Sequence, residues 1–150
     1  MNLLSPISTI MTKQVIAVSP EDSLAVVREI FEKHNIHHIP VVRYKTLVGM
    51  ISKTDFVHFL HGFKGSDMDK FIDETRLRSW KAEELMTKGL AKVDSGEPIR
   101  NVLEVFLVNR FHAIPIEDNG ELVGIVTTFD IIKAMASEPV RLEDYKTAKR

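Results

Sequence analysis

The stretch Leu122–Ile131, LVGIVTTFDI, has an earlier counterpart in Leu47–Phe56, LVGMISKTDF, and the pair decides how the chain is read. Leu-Val-Gly-Ile-Val is short, apolar and β-branched, the composition of a buried strand. Thr127 then stands where a helix N-cap is wanted, with Asp130 three positions on, and Ser52 and Asp55 repeat the arrangement. One role for such a hydroxyl and carboxylate is local: the hydroxyl accepts from the N3 backbone N–H, and the acid favours the positive end of the helix dipole. The other role is recognition. A helix N-terminus is an anion site, so the hydroxyl and free N–H groups can hold a phosphate while the carboxylate accepts hydrogen bonds from ribose hydroxyls.

The similarity extends well beyond these ten residues. An offset of 75 positions lays Met11–Phe56 on Met86–Ile131 without a gap. Met11-Thr12-Lys13 falls on Met86-Thr87-Lys88, Val18 on Val93, Glu29 and Phe31 on Glu104 and Phe106, and His37 on His112. Ile39-Pro40 falls on Ile114-Pro115, Leu47-Val48-Gly49 on Leu122-Val123-Gly124, and Asp55 on Asp130. Most other pairs are apolar in both copies, so the chain is an internal duplication of one supersecondary unit.

Met-Thr, a helix, an apolar-Pro-apolar strand, a turn and Leu-Val-Gly-x-x-[Ser/Thr]-x-x-Asp together resemble the cystathionine-β-synthase-type (CBS) domain, here as a tandem pair. The resemblance covers about residues 5 to 135. It implies an α+β fold in which two β-α-β-β-α repeats pack sheet to sheet as a pseudo-two-fold disc with two clefts. Residues 5–61 and 85–137 would be the repeats, 62–84 a linker helix and 138–150 a charged tail. Such clefts commonly bind AMP, ADP, ATP or S-adenosylmethionine, and members of the family are usually regulatory modules that form homodimers and act on an effector protein.

Carried over position by position, the resemblance places Ser52, Asp55, Thr127 and Asp130 at the ribose. Thr12 and Thr87, with Ile16 and Ala91 just after them, would help to enclose the adenine; packing and capping are the alternative. His34-Asn35 and Asn109-Arg110, at the ends of the first helices, match a pair that in similar nucleotide sensors can carry a His-Arg that meets phosphate. Each copy keeps one of the two cations, His34 or Arg110. His37 and His112 share a repeat position beside the Ile-Pro strand, where a cleft-facing role and a core or rim role are both open.

In chain order, Pro6–Met11 is a lead-in with Ser5 as candidate cap for a helical turn. Val15–Val18 reads as a short strand, and Ser23–Asn35 as a helix capped by Ser19 or Asp22, with Leu24, Val27, Ile30 and Phe31 facing the core. Ile39–Val42 and Leu47–Ile51 form a hairpin, in which Pro40 marks a strand start or an edge bordering a cleft. Lys53–His61 continues as helix. Ser66–Trp80 is an amphipathic helix with a stripe of Met68, Phe71, Ile72 and Trp80, which covers a sheet edge, joins a dimer contact or simply packs as a linker. The second copy repeats the order: strand Leu90–Val93, helix Pro98–Asn109, strands Ile114–Glu117 and Leu122–Val126, helix Phe129–Ala136. The connection Glu117-Asp118-Asn119-Gly120 has strong turn chemistry, and the tail beyond about Tyr145 is expected to fray. Apolar residues Val57–Leu60 and Ile131, Ile132 and Met135 exceed what one core covers, which predicts a two-fold homodimer through these helices.

Composition narrows the function classes. A net charge of −1 gives no reason to expect a nucleic-acid or membrane partner held by bulk electrostatics. The chain has no cysteine, so thiol catalysis and thiolate metal sites are absent. His34-x-x-His37 crosses a helix end, and no carboxylate is spaced to complete a metal site there or at His58-x-x-His61. Gly49 and Gly124 are isolated within strands and form no phosphate loop. Asp55 and Asp130 have no positioned base or nucleophile beside them, so the chain reads as non-catalytic; with no run of 18 apolar residues, and no basic region followed by an apolar run in Met1–Ser8, it is expected to be soluble and cytoplasmic. Two readings stay open: an adenosyl-ligand sensor and a dimerisation scaffold with empty clefts.

Overall fold

A computed structural model describes residues 1–62, 67–109 and 112–139, with residues 67–72 as helical backbone only. Its elements are a 3-10 turn Ile7–Thr9, α1 Leu24–Lys33, β1 His38–Arg43, β2 Thr46–Ser52, α2 Lys53–His61, α3 Asp67–Ser79, α4 Ala82–Leu85, α5 Ile99–Asn109, β3 Ala113–Asp118, β4 Glu121–Thr127 and α6 Thr128–Ala136. The two antiparallel hairpins β1-β2 and β3-β4 meet along β2 and β4, which gives the expected α+β pair packed sheet to sheet.

Both hairpins have the same register. Pro40 pairs with Met50 and Pro115 with Ile125; each ladder then shifts by one residue, past Val48 and Val123 respectively. The turns differ in composition but not in backbone. Asn119 and Gly120 take φ of 51° and 80°, the left-handed pair a two-residue hairpin needs. Tyr44 and Lys45 take the same region, at 49° and 69°, without the residues that favour it.

The lead-in of each copy crosses to the other. Thr12 and Ile125 exchange both backbone hydrogen bonds, at 2.9 and 3.0 Å, and Met50 and Thr87 do the same at 3.0 and 2.9 Å. Ile7 N donates to Glu97 O and Ile99 N to Ser5 O; the equivalents are Ala82 N to Asp22 O and Leu24 N to Trp80 O. A Cβ on Gly49 would lie 2.4 Å from Met86 Sδ, and one on Gly124 would lie 2.6 Å from Met11 Sδ. Glycine leaves room where the lead-in methionine of the opposite copy crosses the strand, and a side chain there would displace that methionine. The core divides accordingly. Ala82 and Leu77 pack with Leu24, Val27, Ile39 and Ile51 of the first copy, whereas Ile7 packs with Val102, Ile114, Ile116 and Val126 of the second.

Several local expectations give way to this exchange. Neither Ser19 nor Asp22 caps α1: Asp22 Oδ2 accepts from Ser19 N instead, and the Leu24 N–H is satisfied by the carbonyl of Trp80. Ser5 lends its carbonyl to Ile99 rather than capping the first turn, whose N-cap position is Pro6. The short strands expected at Val15–Val18 and Leu90–Val93 shrink to single bridges, Val18 to Val41 and Val93 to Ile116. The turn Ala82–Leu85, not anticipated, is the counterpart of Ile7–Thr9 at the same offset.

Helix α3 packs on α1, with Leu77 buried and Arg28 Nη1 2.6 Å from Glu74 Oε1. Trp80 stands edge-on to Phe59 at 5.2 Å between ring centroids. The side chains of Met68, Phe71 and Ile72, and the tail beyond Tyr145, lie outside the described residues.

Candidate functional site

Each β-hairpin ends on a hydroxyl residue that starts the following helix. Ser52 Oγ accepts from Asp55 N at 3.0 Å at the start of α2. At the start of α6 the bonding is reciprocal: Thr127 Oγ1 accepts from Asp130 N at 3.2 Å, and Asp130 Oδ2 accepts from Thr127 N at 2.7 Å. Thr127 Oγ1 also donates to Asp130 Oδ2 at 2.7 Å. This is a complete capping box, so the local role inferred from sequence is present in full.

The exchange of lead-ins adds a third residue. Thr12 Oγ1 donates to Asp130 Oδ1 at 3.0 Å, across 118 positions of chain. A threonine of the first copy and the hydroxyl-acid pair of the second thus form one polar group. A cleft of about 600 Å³ opens beside it, between the Ile7–Thr9 turn and α6, lined by Met11, Thr12, Asp130, Lys133, Ala134 and Ser137 among others. That volume lies within the range of small-molecule sites. The helix start is also tied to the start of β3: Thr128 N donates to His112 O at 3.3 Å, and Ala113 is the cross-strand partner of Thr127.

The first copy builds the equivalent place with different chemistry. Lys53 N donates to His37 O at 2.8 Å, Ser52 faces His38 across the hairpin, and Thr87 bridges Met50 two residues before Ser52. Asp55 is exposed, and among the described residues no Thr87–Asp55 bond matches that of Thr12 with Asp130. Ile16 and Ala91 are half-buried in the extended segments that lead to Val18 and Val93. His34 is the exposed C-cap of α1, and Asn109 Nδ2 bonds Val105 O in the last turn of α5. Arg110 lies outside the described residues.

One residue of interest was missed from sequence. His38 is half-buried at the start of β1, where the second copy has Ala113. Burial, with smaller contributions from the positive charges of His37 and His112, lowers its pKa below the usual histidine value, and Asp55 acts in the opposite direction. The offset that exposes the repeat also marks this position, as an apolar-for-titratable difference beside a matched His37 and His112.

The fold and these paired hydroxyl-acid helix starts define a tandem pair of repeats, each a helix, a β-hairpin and a helix. The chain belongs to the CBS domain family, whose model matches residues 7–62 and 82–137. It is 26% identical over 127 residues to the uncharacterized protein MJ1225 of Methanocaldococcus jannaschii, covering 84% of this chain and 45% of that protein. It is 29% identical over 125 residues to inosine-5'-monophosphate dehydrogenase of Thermoplasma acidophilum, covering 83% of this chain and 22% of the enzyme. The chain thus spans less than half the length of these relatives. Among solved structures it resembles the CBS domain pair of protein MJ0100 in complex with 5'-methylthioadenosine and S-adenosyl-L-methionine. That match has a TM-score of 0.72 and 25% identity, over 91% of this chain and 99% of the other.

Proposed function

We propose that this CBS pair is a non-catalytic regulatory module that senses an adenosine nucleotide or related adenosyl ligand, of the AMP, ADP, ATP or S-adenosylmethionine class, in the clefts between its repeats. The observation that carries the reading is the bond from Thr12 to Asp130. It joins residues of both copies at a helix start beside an open cleft, so a ligand seated on Asp130 would touch both copies at once. The similarity to the MJ0100 pair, solved with two adenosyl compounds, supports the ligand class. Ligand contact with both halves is what a regulator requires, because only differential binding to two arrangements can shift their populations.

Isothermal titration of the purified chain with AMP, ADP, ATP and S-adenosylmethionine, with and without Mg²⁺, tests the reading. At least one is expected to bind with a submillimolar Kd. If none does, the dimerisation scaffold takes its place, a reading favoured by the local capping role that Thr127 and Asp130 already fill for each other.

The partners in this proposal are a second copy of the chain and an effector protein. The expected interface needs revision. Ile131 is buried in the second core, and Phe59 and Leu60 of α2 pack against the first, so these do not form a free face. On α6, however, Phe129, Ile132 and Met135 are 69%, 61% and 59% exposed at helical spacing. We place the homodimer contact there. Light scattering at micromolar concentration should return twice the chain mass, and Ile132→Glu should return the chain mass itself. A monomer mass for the unmodified protein would refute the assignment. Among the described residues no helix is long and apolar enough to cross a membrane.

A further inference from the structure

The two copies fill matching places with side chains of different size. The cavity of about 600 Å³ beside Asp130 is lined in part by Ser5, from the lead-in, and by Ala134, one turn after Asp130 on α6. The offset of 75 positions that relates the copies puts Trp80 at the place of Ser5 and Phe59 at that of Ala134. Backbone bonds support the match. The carbonyl of Ser5 accepts from Ile99 N at the start of α5, and that of Trp80 accepts from Leu24 N at the start of α1. Phe59 and Ala134 hold the same position in α2 and α6. In the first copy the two rings meet edge to face, with centroids 5.2 Å apart and planes at 62°, a favoured packing of aromatic side chains. Phe59 also packs against the first core, in which Leu77, at the position of the exposed Asn2, is buried. The second copy thus has a hydroxymethyl and a methyl group where the first has an indole and a phenyl ring. The cavity is the room that the smaller side chains leave in an otherwise close-packed plan.

We propose that the chain holds one adenosyl ligand, in the cavity beside Asp130, and that Phe59 and Trp80 close the corresponding place beside Asp55. The inference rests on the nucleotide reading above and deepens it by assigning the site to one copy. Ser52 and Asp55 keep the hydroxyl-acid pattern and the helix start that goes with it. A ligand seated on Asp55 in the manner open to it at Asp130 would have to part the two rings and return their apolar surface to water. Binding at Asp130 has no such cost, because Ser5 and Ala134 already stand clear of the space. The polar contacts differ in the same direction: Thr12 of the opposite lead-in reaches Asp130, whereas among the described residues Thr87 makes no such bond to Asp55. The duplicated unit has therefore diverged into a packed half and a ligand-holding half.

The test is calorimetry of the full chain with AMP, ADP, ATP and S-adenosylmethionine, each in turn, read for stoichiometry as well as affinity. Every probe that binds with a submillimolar Kd should bind once per chain. Ala134→Phe brings the first copy's side chain into the cavity and should weaken that binding by about tenfold or more. Thermal unfolding of the unliganded variant shows that it is folded; should it not be, Ser5→Trp blocks the same cavity from the lead-in side and carries the same expectation. Two molecules of any probe bound per chain would overturn the assignment while leaving the nucleotide reading standing. So would a folded Ala134→Phe or Ser5→Trp protein that binds as tightly as the unmodified one, since the single site would then lie elsewhere. Failure of all four probes to bind the unmodified protein would remove the nucleotide reading, and the assignment with it.

Discussion

Replacing Ile7 by alanine lowers the stability of the protein by about 2–5 kcal/mol, the usual cost of truncating a fully buried isoleucine, and the loss falls on the second repeat. Ile7 is 0% exposed and sits among Ile99, Val102, Phe106, Ile114, Ile116 and Val126, although it belongs by sequence to the first copy. Its backbone also donates to Glu97, so the side chain is held in place by the helix approach it helps to bury. Denaturant unfolding gives the magnitude. Amide exchange gives the location: protection should fall at Ile114 and Val126 before Ile39 and Ile51. Leu4, three residues earlier and 75% exposed, is the control, and its change to alanine should cost within about 0.5 kcal/mol. A loss centred on the first hairpin would mean that the lead-in serves its own copy, contrary to the exchange described here.

That exchange marks the limit of what the sequence discloses. The hairpins were legible because short apolar β-branched runs, the Asn119-Gly120 turn and the repeated Leu-Val-Gly are local signals. The starts of α2 and α6 were legible because a hydroxyl three residues before an acid is a local signal too. An offset of 75 positions, by contrast, is the same whether a lead-in packs on its own copy or on the other. Long-range pairing such as Thr12 with Ile125 leaves no trace in spacing. The misread caps follow from the same cause: the Leu24 N–H of α1 is taken by the carbonyl of Trp80, so Ser19 and Asp22 were not needed for it, and Ser5 is engaged through its carbonyl with Ile99 of the other copy. Val15–Val18 has strand composition, yet only Val18 finds a partner there, because Pro40 and Val42 offer it a single bridge. The twofold use of Ile131 and Ile132 illustrates a finer limit. Both are isoleucines on one helix; the first is 7% and the second 61% exposed, a difference of angle around α6 that composition alone cannot assign.

At Asp130 the exchange and the proposed function meet, and Asp130→Asn separates them. Asparagine can keep every bond seen in the structure. Its carbonyl oxygen can accept from Thr127 N and Thr127 Oγ1, and its amide can donate to Thr12 Oγ1, which has acceptor capacity. The capping box survives in shape, and asparagine is itself a competent residue near helix starts. The loss of charge at the α6 N-terminus should then cost no more than about 1 kcal/mol of stability. A ribose diol is a different matter. Both of its hydroxyls donate to a carboxylate, and the amide nitrogen that replaces one carboxylate oxygen has no lone pair to offer. Removal of a charged acceptor worth about 1.5–3 kcal/mol should weaken adenosine ligands by roughly one to two orders of magnitude. The effect should be the same for adenosine, AMP and ATP, since the contact precedes the phosphates. Calorimetry reads the affinity and thermal unfolding of the unliganded protein reads the cap. If affinity holds while the melting temperature falls, Asp130 only ties Thr12 and Thr127 to the helix start, and the paired hydroxyl-acid motifs are fastenings of a scaffold. If affinity falls while the unliganded protein melts almost where it did, the residue that fastens the two copies is also the one through which a ligand acts on both.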